Sequence, residues 1–84
     1  MKDKILQYNV IFRAEPEGGF TTIVPSLPGC ISYGKDLGEA KEMVVDAIQG
    51  YIESMRKHEE SVPSDQENFV SLISLSAKAG VGHA

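Results

Sequence analysis

The sequence contains no tryptophan, a single cysteine, and only three phenylalanines and three tyrosines among 84 residues. One cysteine cannot form an intramolecular disulfide, which excludes a disulfide-stapled secreted scaffold and makes a reducing cytoplasm the expected compartment. With 7% aromatic and 42% apolar residues, a chain of this length can fold but builds only a small core. Burial shared with a second subunit, in a homo-oligomer, is therefore expected. Long apolar runs are also missing, and Met1 is followed by Lys2, Asp3 and Lys4 rather than by a hydrophobic stretch, so neither a signal peptide nor a membrane span is expected. Positive charge is scarce too: 8 basic against 12 acidic side chains give a formal net charge of -4. Such a surface repels phosphate backbones, which argues against nucleic acid as the direct ligand and favours a basic partner.

What is present reads as one small α+β unit. From Tyr8 to Ala14, apolar residues at Tyr8, Val10, Phe12 and Ala14 recur with the period of two of a half-buried strand, and only Ile11 breaks it. Glu15-Pro16-Glu17-Gly18-Gly19 supplies turn chemistry, and Phe20 to Val24 resumes a β-branched run, so the two form an antiparallel hairpin. Pro25, Pro28 and Gly29 interrupt the ladder before a short third strand from Cys30 to Tyr33, which Gly34 ends. Asp36 and Glu39 form a D-x-x-E capping box, placing a helix start near Leu37. Leu37, Ala40, Val44, Ala47, Ile48, Tyr51, Ile52 and Met55 then recur at helical spacing, with Glu39, Glu42, Asp46, Gln49, Glu53 and Arg56 opposite. Glu53 and Lys57 stand in the favourable i, i+4 order, and Gly50 in the helix interior suggests a close packing contact. The polar stretch from His58 to Glu67 reads as a loop, and Phe69 to Leu75 as a last strand with apolar groups on both faces. The expected architecture is β-β-β-α-β, one domain over residues 1–76 with a flexible tail over 77–84.

Catalytic chemistry is not expected. His58 and His83 match none of the common metal-ligand spacings, so no metal site is predicted. Cys30, within Leu27-Pro28-Gly29-Cys30-Ile31-Ser32, has no base or cation nearby to activate a thiolate and reads as a buried strand residue. Asp36 and Glu39 are accounted for by capping, and Glu42 and Asp46 by a solvated helix face. Gly18 and Gly19 fit a hairpin turn better than a phosphate loop, and no cofactor motif is found. Glu15, Glu17, Glu59 and Glu60 are candidates, by charge alone, for an exposed interface.

Several of these segments, taken together in order, resemble the HicB family of antitoxins. They are Tyr8-Asn9-Val10-Ile11-Phe12, Gly18-Gly19-Phe20, the run Val24-Pro25-Ser26-Leu27-Pro28-Gly29-Cys30, Gly34, Glu39-Ala40, Ala47-Ile48 and Tyr51-Ile52. The resemblance spans roughly residues 6 to 60 and is most specific from Val24 to Cys30 with Gly34, Glu39 and Ala40. It implies a degenerate RNase H-like domain without that fold's catalytic carboxylates, and a non-enzymatic role. It further implies a partner, HicA, a small basic RNA-cleaving toxin whose active site the antitoxin covers, and assembly into dimers or tetramers. Two departures are visible. The sequence given stops at Ala84, as in short stand-alone forms, without the C-terminal operator-binding segment of many members, so direct DNA binding is not expected. Asp36 stands where the family usually has threonine, and aspartate caps equally well. The alternative is a homo-oligomeric binding or regulatory module of the same fold with no toxin. A residual nuclease is disfavoured by the lack of acidic residues on the strands.

Overall fold

A computed structural model of the chain describes residues 5–77. Three short strands, β1 (Ile11–Ala14), β2 (Phe20–Ile23) and β3 (Ile31–Gly34), precede one long helix, α1 (Leu37–Lys57). The strands form an antiparallel meander in the order β1-β2-β3. Register follows from the turns: Ile11, Ile23 and Ile31 stand side by side, as do Phe12, Thr22 and Ser32. The α+β class and the order of these four elements are as the sequence predicts.

The first hairpin closes where the backbone can turn. Gly18 and Gly19 both take positive φ, at 109° and 82°, a region open to glycine without steric penalty. Gly18 N–H donates to the Glu15 carbonyl and Glu15 N–H to the Gly19 carbonyl. The strand that the sequence places over Tyr8–Ala14 is shorter in the structure, because its partner runs out. Past Ile23, Val24 N–H still bonds the Cys30 carbonyl on the β3 side, but the next residue, Pro25, has no N–H to offer the β1 side and the chain turns into the loop up to Cys30. Residues before Ile11 therefore face no ladder.

α1 lies across one face of the sheet, chiefly over β3 and also β2. Its inner stripe contributes the buried Ala40, Val44 and Ile52, with Ala47, Ile48, Tyr51 and Met55 half-buried around them. Leu37, expected on that stripe, is 48% exposed, because it sits in the first turn beyond the sheet margin. Gly50 marks no close contact: a Cβ built there meets nothing within 4 Å. Among the described residues the expected Glu53–Lys57 pair is absent, and the salt bridge present is Arg13–Glu15, 3.1 Å apart on the hairpin. The helix start makes the Asp36 half of the capping box, while Glu39 reaches one residue further back than the cap. Glu39 N–H donates to Asp36 Oδ1 at 2.8 Å, and the Glu39 carboxylate reaches back to the Lys35 N–H at 2.7 Å.

The predicted last strand is the main correction. Residues 58–77 contain no strand, and Phe69, Leu72 and Leu75 are each 87% or more exposed. A strand exists only where another backbone pairs with it, and no other part of the described chain runs beside this segment. The expected tail over 77–84 lies, except for Ala77, outside the described residues.

The tightest joint is between β3 and α1. A methyl group placed on Gly34 would collide with the backbone N and Cα of Ala40, so the helix sits as close to the strand as a bare Cα permits. Backbone cannot move aside as a flexible side chain can. Gly34→Ala is expected to destabilise the fold by about 2 kcal/mol or more, seen as a lowered urea midpoint at unchanged slope, whereas Gly50→Ala should stabilise it by about 0.5–1 kcal/mol.

Candidate protein-binding surface

The segment Val24 to Cys30 is a core-filling loop. Val24, Leu27 and Cys30 are each less than 5% exposed and form the core cluster with Val44. Two turns fold it: Leu27 N–H donates to the Val24 carbonyl and Cys30 N–H to the Leu27 carbonyl. Gly29, at φ +83°, allows the second turn, and Tyr51 of α1 donates its hydroxyl to the Pro28 carbonyl at 2.7 Å. Pro25 and Pro28 themselves are exposed. Burial raises the Cys30 thiol pKa, which disfavours the nucleophilic thiolate. The set Pro25, Pro28, Gly29, Cys30, Gly34, Glu39 and Ala40 thus shapes the loop, the β3–α1 joint and the cap.

A second joint was not legible in the sequence. Asp65, read there as part of a solvated loop, is 7% exposed. Its carboxylate accepts from the Ser26 hydroxyl, from the Asn9 N–H at 2.9 Å and from Asn68 Nδ2 at 3.1 Å. Its own N–H donates to the Gln7 carbonyl at 2.7 Å. Around it, Gln7 N–H donates to Ser64 Oγ, Tyr8 Oη to the Pro63 carbonyl and Asn9 Nδ2 to the Asn68 carbonyl. One carboxylate therefore ties the returning chain to the segment before β1 and to the core loop. The available signal was Asp65 followed three residues on by Asn68, residue types that favour a β-turn, and its closing bond, Asn68 N–H to the Asp65 carbonyl, is present.

Of the charged candidates, Glu15 is engaged within the hairpin. The Thr21 hydroxyl and then Arg13 hold its carboxyl below the usual range. Glu17 is exposed in that same turn, and Glu59 and Glu60 are exposed just past the other end of α1. The hairpin turn adjoins the start of a 21-residue helix, so the two pairs are about 30 Å apart and do not form one patch. His58 caps the helix end, its Nδ1 lying 2.8 Å from the Ser54 carbonyl, and His83 lies outside the described residues. Among the described residues, no three His, Cys, Asp or Glu side chains converge on a cation position.

What the fold does present is the outer face of α1. Lys41, Glu42, Val45, Asp46 and Gln49 line a shallow depression there, with Met43 and Val45 exposed by 44% and 53%. Glu42 and Asp46 stand at i and i+4, a like-charge pair that destabilises an isolated helix by a few tenths of a kcal/mol. A cation docked between them would relieve that repulsion. Two acids with an apolar side chain beside them offer a basic protein a charged contact and a small adhesive one.

A small meander closed by one helix spends its motif residues on packing and turns an acidic, partly apolar helix face outward. The chain belongs to the HicB-like antitoxin family of bacterial toxin–antitoxin systems, whose family model matches residues 8–77. It is 37% identical over 67 residues to the UPF0150 protein Ta0767 of Thermoplasma acidophilum, covering 80% of this chain and 97% of that protein. A UPF0150 protein of Archaeoglobus fulgidus is 33% identical over 75 residues, 89% of this chain and all of that protein. The UPF0150 protein ssr1765 of Synechocystis sp. is 36% identical over 62 residues, 74% of this chain and 78% of that protein. Membership of an antitoxin family implies a toxin as partner in general. No helix among the described residues is long and apolar enough to cross a membrane.

Hydrogen bonds from Ser26, Asn9 and Asn68 lower the Asp65 pKa. A depressed folded-state pKa contributes stability that is fully present above the unfolded value of about 3.9 and is lost as pH falls through the folded value. Acidification below about pH 4 should therefore release residues 63–68, seen as accelerated exchange of the Asn9 and Asp65 amides. Asp65→Asn should lower the melting temperature at neutral pH and remove this acid-dependent component.

Proposed function

We propose that the protein is an antitoxin that binds and neutralises a HicA-type RNA-cleaving toxin by covering its active site, and that it does so in the cytoplasm with no catalysis of its own. The observation that carries this reading is the antitoxin-family match across residues 8–77. The formal charge of -4 supports a basic partner, and the outer face of α1 supplies the docking surface, with Glu42 and Asp46 beside the exposed Val45. The sequence of three antiparallel strands followed by a helix suits the pared-down RNase H-like scaffold that the family resemblance implies. Inhibition of this kind needs only shape and charge complementarity, because a nuclease stops when RNA cannot reach its catalytic groups.

Co-purification of the chain with a HicA-type toxin, followed by an RNA-cleavage assay on the mixture, tests the reading. A stoichiometric complex with cleavage abolished is expected. Glu42→Lys with Asp46→Lys should weaken the complex at least tenfold by calorimetry and restore cleavage, while the variant keeps its helical circular dichroism. Failure of the wild-type chain to bind or inhibit such a toxin would favour a toxin-free binding or regulatory module of the same fold.

A further inference from the structure

Two unpaired features of this chain match one another. The first is the segment Phe69–Leu75, whose sequence alternates apolar groups on both faces without a single charge. In the structure Phe69, Val70, Leu72, Ile73 and Leu75 are 65–92% exposed, which no isolated soluble chain keeps without a reason. The segment lies within the residues that the family model matches, so it is part of the domain.

The second feature is the open side of β1. The sheet order gives β1 a neighbour on one side only, leaving a row of backbone donors and acceptors free. Beside that edge, on the helix side, Leu6, Tyr8 and Val10 face Val44, Ile48 and Ile52 across an apolar groove. On the opposite side of the sheet, Ile11, Ile23 and Ile31 form a row across all three strands, with Ile11 and Ile31 exposed by 42% and 59%. A strand added at the β1 edge would therefore meet apolar surface both above and below. Strands apolar on both faces are those that lie between two covering layers.

We infer that the Phe69–Leu75 segment of a second copy of this chain occupies the β1 edge, adding a fourth strand to the sheet, and that the exchange is reciprocal in a dimer. The Asp65 clamp fixes where each arm departs: Asn68 is held beside Asn9, and the following residues leave the body instead of lying against it. Five side chains of this kind bury on the order of 500 Å² of apolar area per arm, so two arms remove about 1,000 Å² before the receiving surfaces are counted, which reaches the size of a specific interface. This pairing is independent of the toxin and would hold for the protein alone.

Light scattering and isotope-filtered NMR on the full chain test the exchange. Expected are a particle of twice the 9.1 kDa chain mass and, in a mixture of labelled and unlabelled chains, interchain NOEs from the Ile73 and Leu75 methyls to those of Val10, Ile11 or Ile48. Leu72→Glu with Ile73→Glu should give a monomer that retains the helical signal of α1. If that variant does not fold, the wild-type NOEs decide. A monomeric wild type would overturn the proposal, as would a dimer that survives the double substitution. So would a tail whose NOEs to β1 arise only within its own chain, or one whose amides become protected only when a toxin is added.

Discussion

Everything in this fold hangs on how closely α1 approaches β3. Gly34 ends the strand and Ala40 begins the buried stripe of the helix, and their backbones are so close that even a methyl group on Gly34 would collide with Ala40. The Asp36 cap lies in the short link between them, so the direction of the helix is set within six residues of the sheet. Once that direction is fixed, Val44 meets Leu27, Val24 and Cys30, and Tyr51 reaches the Pro28 carbonyl. The core loop, the helix and the sheet are thereby one packing problem with its solution determined at one end.

The Asp65 joint is of a different kind. Where the β3–α1 contact is steric and indifferent to pH, the Asp65 contact is polar and charged, and it joins residues nearly sixty positions apart. Its partners include backbone groups before β1 that have no ladder of their own. A carboxylate is suited to this task because it accepts several hydrogen bonds at once and cannot be replaced by an apolar group of similar shape. The same principle operates on a smaller scale in the sheet, where the fully buried Thr22 hydroxyl is satisfied by Ser32 on the next strand.

The local elements were legible because their causes are local. Gly18 and Gly19, the Asp36–Glu39 box and the three-and-four spacing from Ala40 to Met55 each act within a few residues, and the hairpin, cap and helix follow from them. What the sequence concealed depends on distant neighbours. Asp65 looks like any loop acid until Asn9 and Ser26 are beside it, and Tyr8 to Val10 have strand periodicity but lose their partner when Val24 turns into the core loop. Phe69 to Leu75 carries the pattern of a strand without the ladder, since a pattern specifies which faces are apolar and not which backbone lies alongside. The proposed interface is harder still, because Glu42 and Asp46 carry the sequence pattern of ordinary solvated acids on a helix face.

The single cysteine has a further consequence. Cys30 is 4% exposed, closes the second of two turns, which α1 pins through Pro28, and keeps its proton more firmly than a free thiol. A reagent can reach its sulfur only when the loop from Val24 to Cys30 lifts off the core, so the rate of alkylation counts those openings. The chain carries its own clock for local unfolding, set at the junction through which loop, helix and sheet are coupled.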